Sequence, residues 1–404
     1  MSKQIIIAGS GFAGLWAALS AARAVHLASK GEEVAITMIS PTPNLIIRPR
    51  LYEAVLENMA PDISALLAAV GVTHLAGIVD GIDAEKKQIT FLPRDGAPQT
   101  LSDDRFVLAT GSRLFTPPVP GLTEYGFNVD TLGGAQALDT HLKSLASRPE
   151  SLGRNTVVVA GGGFTGLETA TEIPTRLRAI LGEQAAIRTI IVDTAREIGS
   201  EFGTGPLPVI REALAETGVE PRAGLRVAAI DAESVTLSDG ERIPTQTVIW
   251  TAGMRAHPLA AQVPGEHDNL GRVVGDAYLR APAADGIFVT GDMVRAATDD
   301  VGNVAPMTCQ HGLSLGRVAG HNAAAELVGL PTHPYSQPKY VTCLDLGPWG
   351  ALFTEGWDRQ VRFTREEGKK IKQEINQIWI YPPAPDRDRS EERRVGKECR
   401  SRWS

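Results

Sequence analysis

Apolar residues along this chain gather into short unbroken runs, and glycines stop several of them. Ile5-Ile6-Ile7-Ala8 runs into Gly9-Ser10-Gly11-Phe12-Ala13-Gly14, and Val157-Val158-Val159-Ala160 runs into Gly161-Gly162-Gly163-Phe164-Thr165-Gly166. A run of this length bounded by turn residues fits a buried strand. The first block predicts a strand over 4–8, an alanine-rich helix over 12–29 and a strand over 33–39. An extended Pro-rich segment follows from Ser40 to Arg50. Leu51 to Ala69 then reads as a helix, with Asp62 and Ser64 as candidate caps behind Pro61. Alternation at 72–79 and 86–92 predicts a small antiparallel meander. Phe106-Val107-Leu108 predicts a buried strand ending in the tight turn Ala109-Thr110-Gly111-Ser112, and Pro117, Pro118 and Pro120 mark a hinge.

From Thr156 the pattern repeats: strand, glycine turn, a helix over 164–181 and a strand from Arg188 to Asp193. A helix near 206–217, strands near 225–237 and a closing strand Thr247 to Trp250, ending in Thr251-Ala252-Gly253, complete the repeat. Ile287-Phe288-Val289 then runs into Thr290-Gly291-Asp292, and Leu313 to Val328 reads as a helix. The remainder, 335–388, predicts strands near 340–354 and a charged helix near 366–380. The fold class is α/β: two Rossmann-like dinucleotide-binding domains, the second inserted in the first, plus a small C-terminal region. The expected boundaries are 1–118 with 256–328, then 119–255, then 329–388.

A length of 404 residues is itself too great for one ordinary core and agrees with two or three domains. The net charge of −7, with no Lys/Arg stripe interleaved with aromatics, argues against a nucleic-acid surface. No stretch approaches the ~18 consecutive apolar residues of a membrane span. A strand that starts by residue 4 leaves no room for a signal peptide, so a cytoplasmic location is expected. Cys309, Cys343 and Cys399 form neither a C-x-x-C nor a C-x4-C pair, which removes a redox disulfide. Cys309 and Cys343 read as buried, inert thiols. Residues 389–404 hold nine charges, six positive and three negative, with no helical or strand period. They read as the translation of a sequencing-library adapter, and Cys399 is set aside with them.

The glycines carry the chemistry. Gly9, Gly11 and Gly14 make a tight turn, let a pyrophosphate approach the helix N-terminus, and allow close helix–strand packing; Gly161, Gly163 and Gly166 stand at the same places in the repeat. Two such turns in one chain suit two dinucleotides and electron transfer between them. The first unit's second strand ends in Ser40, whose hydroxyl can bind a ribose without the strength of a carboxylate. The second unit keeps the acid: Asp193 accepts from an adenosine 2′-OH and repels a 2′-phosphate, favouring NAD, while neighbouring Arg196 blunts the preference. Glu168 reads in two ways, as an acid favoured at a helix N-terminus or as the group that orients the nicotinamide. Asp292 could accept from ribityl hydroxyls. Arg48 and Arg50, flanking Pro49, could meet flavin or acceptor, or be surface charges.

Taken in order, Gly9 to Leu15, Leu51-Tyr52-Glu53-Ala54, Ala109 to Ser112, Gly161 to Glu168, Trp250 to Gly253 and Thr290 to Asp292 resemble the two-dinucleotide-binding flavoproteins over residues 4–325. Within them the resemblance is to type II NADH dehydrogenases. It implies FAD in the first site, held by Gly9, Gly11, Phe12, Ala13, Gly14, Ser40, Arg48, Ala109, Thr110, Gly111, Gly291 and Asp292. It implies NADH in the second, held by Gly161, Gly163, Phe164, Thr165, Gly166, Glu168, Asp193 and Gly253. Hydride would pass from nicotinamide C4 to flavin N5, with orientation rather than a side-chain nucleophile as the protein's part. The family's Gln-x-x-x-Gln pair is matched by Gln310, with Ser314 in the second place, so Gln310 joins Glu168 as a catalytic candidate and no metal is implied. His311 could protonate a reduced quinone or be an exposed helix residue. The segment Ser40 to Leu51 lacks the single active cysteine of related disulfide reductases, which removes peroxide, coenzyme A disulfide and glutathione as substrates. The implied partner is a quinone-like acceptor, with peripheral contact to the cytoplasmic face of a membrane and a homodimer as further expectations. Alternatives are a soluble NADH-dependent reductase of a small iron–sulfur protein, or a slow-turnover NADH-sensing flavoprotein.

Overall fold

The computed structural model describes residues 2–386, so the expectation for 389–404 lies outside the described residues. The apolar runs become strands with both faces covered. Lys3–Ala8 sits inside a seven-stranded sheet, beside Val34–Ser40 on one edge and Arg105–Leu108 on the other, both parallel to it. Ile287–Val289 closes that sheet by pairing in parallel with Arg105–Leu108, although the whole second unit intervenes in sequence. The second sheet has five parallel strands, ordered Val219–Ala223, Arg188–Asp193, Thr156–Ala160, Thr247–Trp250 and Gly126–Phe127. The chain crosses between units twice, and the crossings Ser112–Leu114 and Met254–Ala256 pair antiparallel. This is the α/β architecture expected, with Rossmann-like parallel sheets.

Two helices lock the first unit. We call Phe12–Leu27 α1, Phe164–Leu181 α2, Cys309–Val328 α3 and Arg365–Glu374 α4. α1 and α3 touch backbone to backbone. A Cβ on Gly316 would stand 2.3 Å from the Ala13 carbonyl oxygen, and one on Gly320 2.0 Å from that of Ala17. Only hydrogen fits at either place. The C-terminal region is a three-stranded antiparallel sheet, Val341–Asp345, Ala351–Glu355 and Gln360–Phe363, on which α4 packs.

Several elements differ from expectation. Between Leu51 and Ala69 only Ser64–Ala69 is helical. Asn58 adopts a left-handed φ of 55° and turns the chain back, so that Ile47 N–H donates to the Met59 carbonyl at 2.7 Å and Leu45 N–H to that of Pro61 at 3.0 Å. The predicted meander is joined to the main sheet. Val72–Asp83 is one strand, parallel to Val34–Ser40 in its first half and antiparallel to Gln88–Pro93 in its second. α3 begins at Cys309, four residues before the predicted start, because Thr308 caps it by accepting from the His311 N–H. The charged helix ends at Glu374 and continues as a wider turn, Ile375–Trp379. Helix Leu132–Ser144 carries two glycines near its start, which hid its period.

Candidate functional site

Both glycine turns fold as the sterics of their sequence require. Gly9 has φ +108°, and a Cβ on it would lie 2.4 Å from the Ala109 carbonyl oxygen; one on Gly14 would lie 2.0 Å from the carbonyl oxygen of Gly9. Gly11 is different, because a Cβ there would meet nothing within 4 Å. It stands at the α1 N-terminus, which has no side-chain cap and no acid in its first turn. The first N–H groups of α1 are thus left for an external anion, in a cradle shaped for a diphosphate. Ala109, Thr110 and Gly111 wall it from the neighbouring strand end. The second turn repeats the design. Gly161 has φ +118°, a Cβ on Gly166 would lie 1.8 Å from the Gly161 carbonyl oxygen, and Gly163 precedes α2 without a side-chain cap.

The first cradle and the start of α2 open onto one cavity of about 1590 Å³. Gly9, Gly11, Phe12, Ala13, Ser40 and Arg48 line it from the first unit, with Ala109, Thr110, Gly111, Gly291 and Asp292. Phe164, Thr165 and Glu168 line it from the second, and Gln310 and Ser314 from α3. Gly14, Gly161, Gly163, Gly166, Asp193 and Gly253 lie outside this lining. The volume, the open start of α1 and the glycine turn before α2 fit two dinucleotides.

Electrostatics sort the candidate residues. Arg48 donates to Ser112 Oγ at 2.9 Å, pairs with Asp130 and lies 3.9 Å from Asp292. This ties the first unit's loop to both strand ends at the cavity wall. Asp292 also accepts from Ser112 Oγ, and burial raises its carboxyl. Asp193 accepts from the N–H of Gly162 at 2.6 Å and of Ala195 at 2.7 Å, which fixes the carboxylate at the glycine turn. Ser40 is less available than expected: its hydroxyl already contacts His74 Nε2 at 2.8 Å and donates to the Thr42 carbonyl at 2.8 Å.

Glu168 lies in the second turn of α2 rather than the first, and its partners come from far along the chain. Lys372 Nζ of α4 is 2.7 Å from its Oε1, and the Asp345 N–H donates to the same oxygen at 3.0 Å. Burial pushes the Glu168 carboxyl up to about 7, against the pull of the Lys372 ammonium. Asp345 in turn accepts from the Tyr52 hydroxyl at 2.9 Å and from Lys369 Nζ at 2.6 Å. This network joins both units to the C-terminal region. Tyr52 belongs to the Leu51–Ala54 motif, and nothing local marks Lys372, Lys369 or Asp345.

His311 is not an exposed helix residue. It is fully buried, its Nδ1 lies 2.9 Å from Thr308 Oγ1, and its ring packs against Tyr340 and Trp357 at 5.3 and 6.0 Å between centroids. Burial lowers its pKa to about 4, so it is neutral near pH 7. Cys343 is buried as expected but Cys309 only half-buried; both line the cavity as free thiols, and desolvation pushes them up to about 12 and about 11 respectively. At neutral pH neither is a thiolate, as inert thiols require.

The model of the family described as pyridine nucleotide-disulphide oxidoreductase matches residues 3–316. An NADH dehydrogenase-like protein of Mycobacterium tuberculosis is 44% identical over 383 residues, 94% of each chain. Demethylphylloquinone reductase NdbB of a Synechocystis species is 30% identical over 360 residues, 87% of this chain and 86% of the relative. Among solved structures, NDH2 from Plasmodium falciparum in complex with NADH superposes with a TM-score of 0.75 at 14% identity, covering 98% of each chain.

Proposed function

Because the chain belongs to the pyridine nucleotide-disulphide oxidoreductase family, as an enzyme with FAD and NADH for cofactors, we propose that it passes electrons from NADH to a quinone-type acceptor. The observation that carries this reading is one cavity onto which the first cradle, the start of α2 and Gln310 all open. When bound, FAD supplies the two-electron chemistry that amino-acid side chains lack.

The residues do the holding. Gly9, Gly11, Phe12, Ala13 and Gly14 offer the α1 N-terminus to the FAD diphosphate. Ala109, Thr110, Gly111 and Ser40 border the same nucleotide, while Arg48, Gly291 and Asp292 border its flavin end. Gly161, Gly163, Phe164, Thr165 and Gly166 hold the NADH diphosphate, and Asp193 accepts from the adenosine ribose. Gly253 follows Thr251 and Ala252, which back that turn, and its φ of +79° keeps the crossing strand close to Phe115. Glu168, fixed by Lys372 and Asp345, orients the nicotinamide end. Gln310 borders the acceptor.

The far wall of the cavity includes Ile375, Ile378, Trp379 and Tyr381, an apolar face suited to a lipid-like ring. Such acceptors reside in membranes, so peripheral contact at the cytoplasmic face is part of the proposal. No helix among the described residues is long and apolar enough to cross one.

Anaerobic addition of NADH to the yellow FAD-loaded enzyme tests the reading. Fast bleaching of the flavin band, followed by rapid reoxidation with a soluble quinone analogue, is the expected outcome. Bleaching without reoxidation by quinone would overturn the acceptor and point to an iron–sulfur partner or a sensing role.

A further inference from the structure

The two cradles differ in one respect. In the first, the space beside Gly11 is open. In the second, the equivalent space beside Gly163 holds a carboxylate: Glu201 Oε1 lies 3.1 Å, and Oε2 3.7 Å, from where a Cβ on Gly163 would stand. Burial raises the Glu201 carboxyl on balance, against the pull of the Arg359 guanidinium and of the Phe164 N–H at the start of α2. This is the place a dinucleotide diphosphate takes at a glycine turn.

Glu201 reaches it from the one-turn segment Ser200–Phe202, which has a left-handed glycine on either side, Gly199 at φ +77° and Gly203 at φ +85°. Arg359, from the C-terminal region, secures the segment. Its Nη1 donates to the Glu201 carbonyl at 2.6 Å, and its guanidinium lies 4.9 Å from the Phe202 ring centroid. Arg359 itself adopts a left-handed φ of 51°, a conformation that costs a non-glycine residue energy and persists only where neighbours enforce it. Arg359, Glu201, Phe202 and Phe164 all line the common cavity.

We propose that Glu201 is a self-supplied anion seated on the second cradle, displaced when the dinucleotide's diphosphate arrives, and that Arg359 is the cation left beside the incoming diphosphate. The carboxylate and the diphosphate seek the same N–H groups and repel each other. A dinucleotide therefore binds with an affinity reduced by the fraction of molecules in which Glu201 holds the site. The two flanking glycines give the segment the backbone freedom to swing aside. The inference rests on NADH occupying the second cradle, but it involves no electron acceptor.

Calorimetric titration of the FAD-loaded enzyme with NAD+ and with ADP-ribose, at low ionic strength, provides the test. Glu201→Gln and Glu201→Ala are each expected to tighten both ligands by about five- to tenfold, the order of one charge at a helix end. Arg359→Gln is expected to weaken them by a similar factor. Gly163→Val serves as the reference, because its side chain fills the cradle whatever Glu201 does. If Gly163→Val binds NAD+ as the wild type does, the assignment of the cradle falls and the inference with it. If Gly163→Val abolishes binding while both Glu201 variants bind with unchanged or weaker affinity, the inference alone is overturned.

Discussion

Replacing Lys372 with methionine tests the network that ties the C-terminal region to Glu168 at the cavity wall. Glu168 and Lys372 are 3% and 5% exposed, and their charged atoms are 2.7 Å apart. Breaking a buried pair by removing one partner costs about 3–5 kcal/mol, because the remaining charge is left in a poorly hydrated site. In Lys372→Met the Glu168 carboxylate keeps one donor, the Asp345 N–H. Its carboxyl, already at about 7 through burial, then rises further.

A carboxyl raised in the folded state binds a proton that the unfolded chain releases, so stability falls as pH rises above the unfolded value of about 4.3. In the wild type that fall ends near pH 7. In the variant it continues, and the gap between the two widens by about 1.4 kcal/mol per pH unit until the variant's own carboxyl ionises. Urea unfolding of the FAD-loaded proteins at several pH values from 6 to 9 measures the gap. The double variant Glu168→Gln with Lys372→Met should lose the added pH dependence. A gap that stays constant across this range would refute the reasoning, since it would mean that Glu168 does not depend on Lys372 for its charge.

Two further outcomes are expected. Gly320→Ala drives a methyl to 2.0 Å from the Ala17 carbonyl oxygen, so α1 and α3 must part; overpacking of this kind costs about 1–3 kcal/mol, and flavin release on heating should come earlier than in the wild type. Asp193→Ser removes the carboxylate that would face a 2′-phosphate, and should lower the preference for NADH over NADPH by about an order of magnitude in steady-state rates. Equal rates with the two coenzymes in the wild type would show that Asp193 does not set the choice.

The glycine turns were legible because their constraint is local. A strand, a left-handed glycine and a helix whose first N–H groups are uncapped can be read from a dozen adjacent residues, and Gly9, Gly14, Gly161 and Gly166 are each forced by a backbone atom too close for a Cβ. Groups that act through distant partners were legible only in part. Glu168 could be placed on α2 facing the cavity, but Lys372 lies 204 residues away and Asp345 177, with no pattern linking them. The availability of Ser40 depended on His74, a partner on a neighbouring strand. His311 follows a cap and precedes a glycine, which reads as surface; the aromatic sheet edge that buries it comes from Tyr340 and Trp357. The predicted helix over Leu51–Ala69 failed for a related reason, since its apolar residues serve a loop that pairs with itself rather than a helical face.

The strand Ile287–Val289 completes the first sheet only after the whole second unit has been made. During synthesis Arg105–Leu108 therefore waits with one edge bare while nearly 180 further residues leave the ribosome. At roughly 5–20 residues per second that wait is on the order of ten seconds or more. The inserted unit has its own five-stranded sheet and can finish first. Completion of the first sheet is then a late event in the life of the nascent chain, and a newborn molecule cut short before Ile287 would hold a finished second unit beside a first sheet with one edge still open.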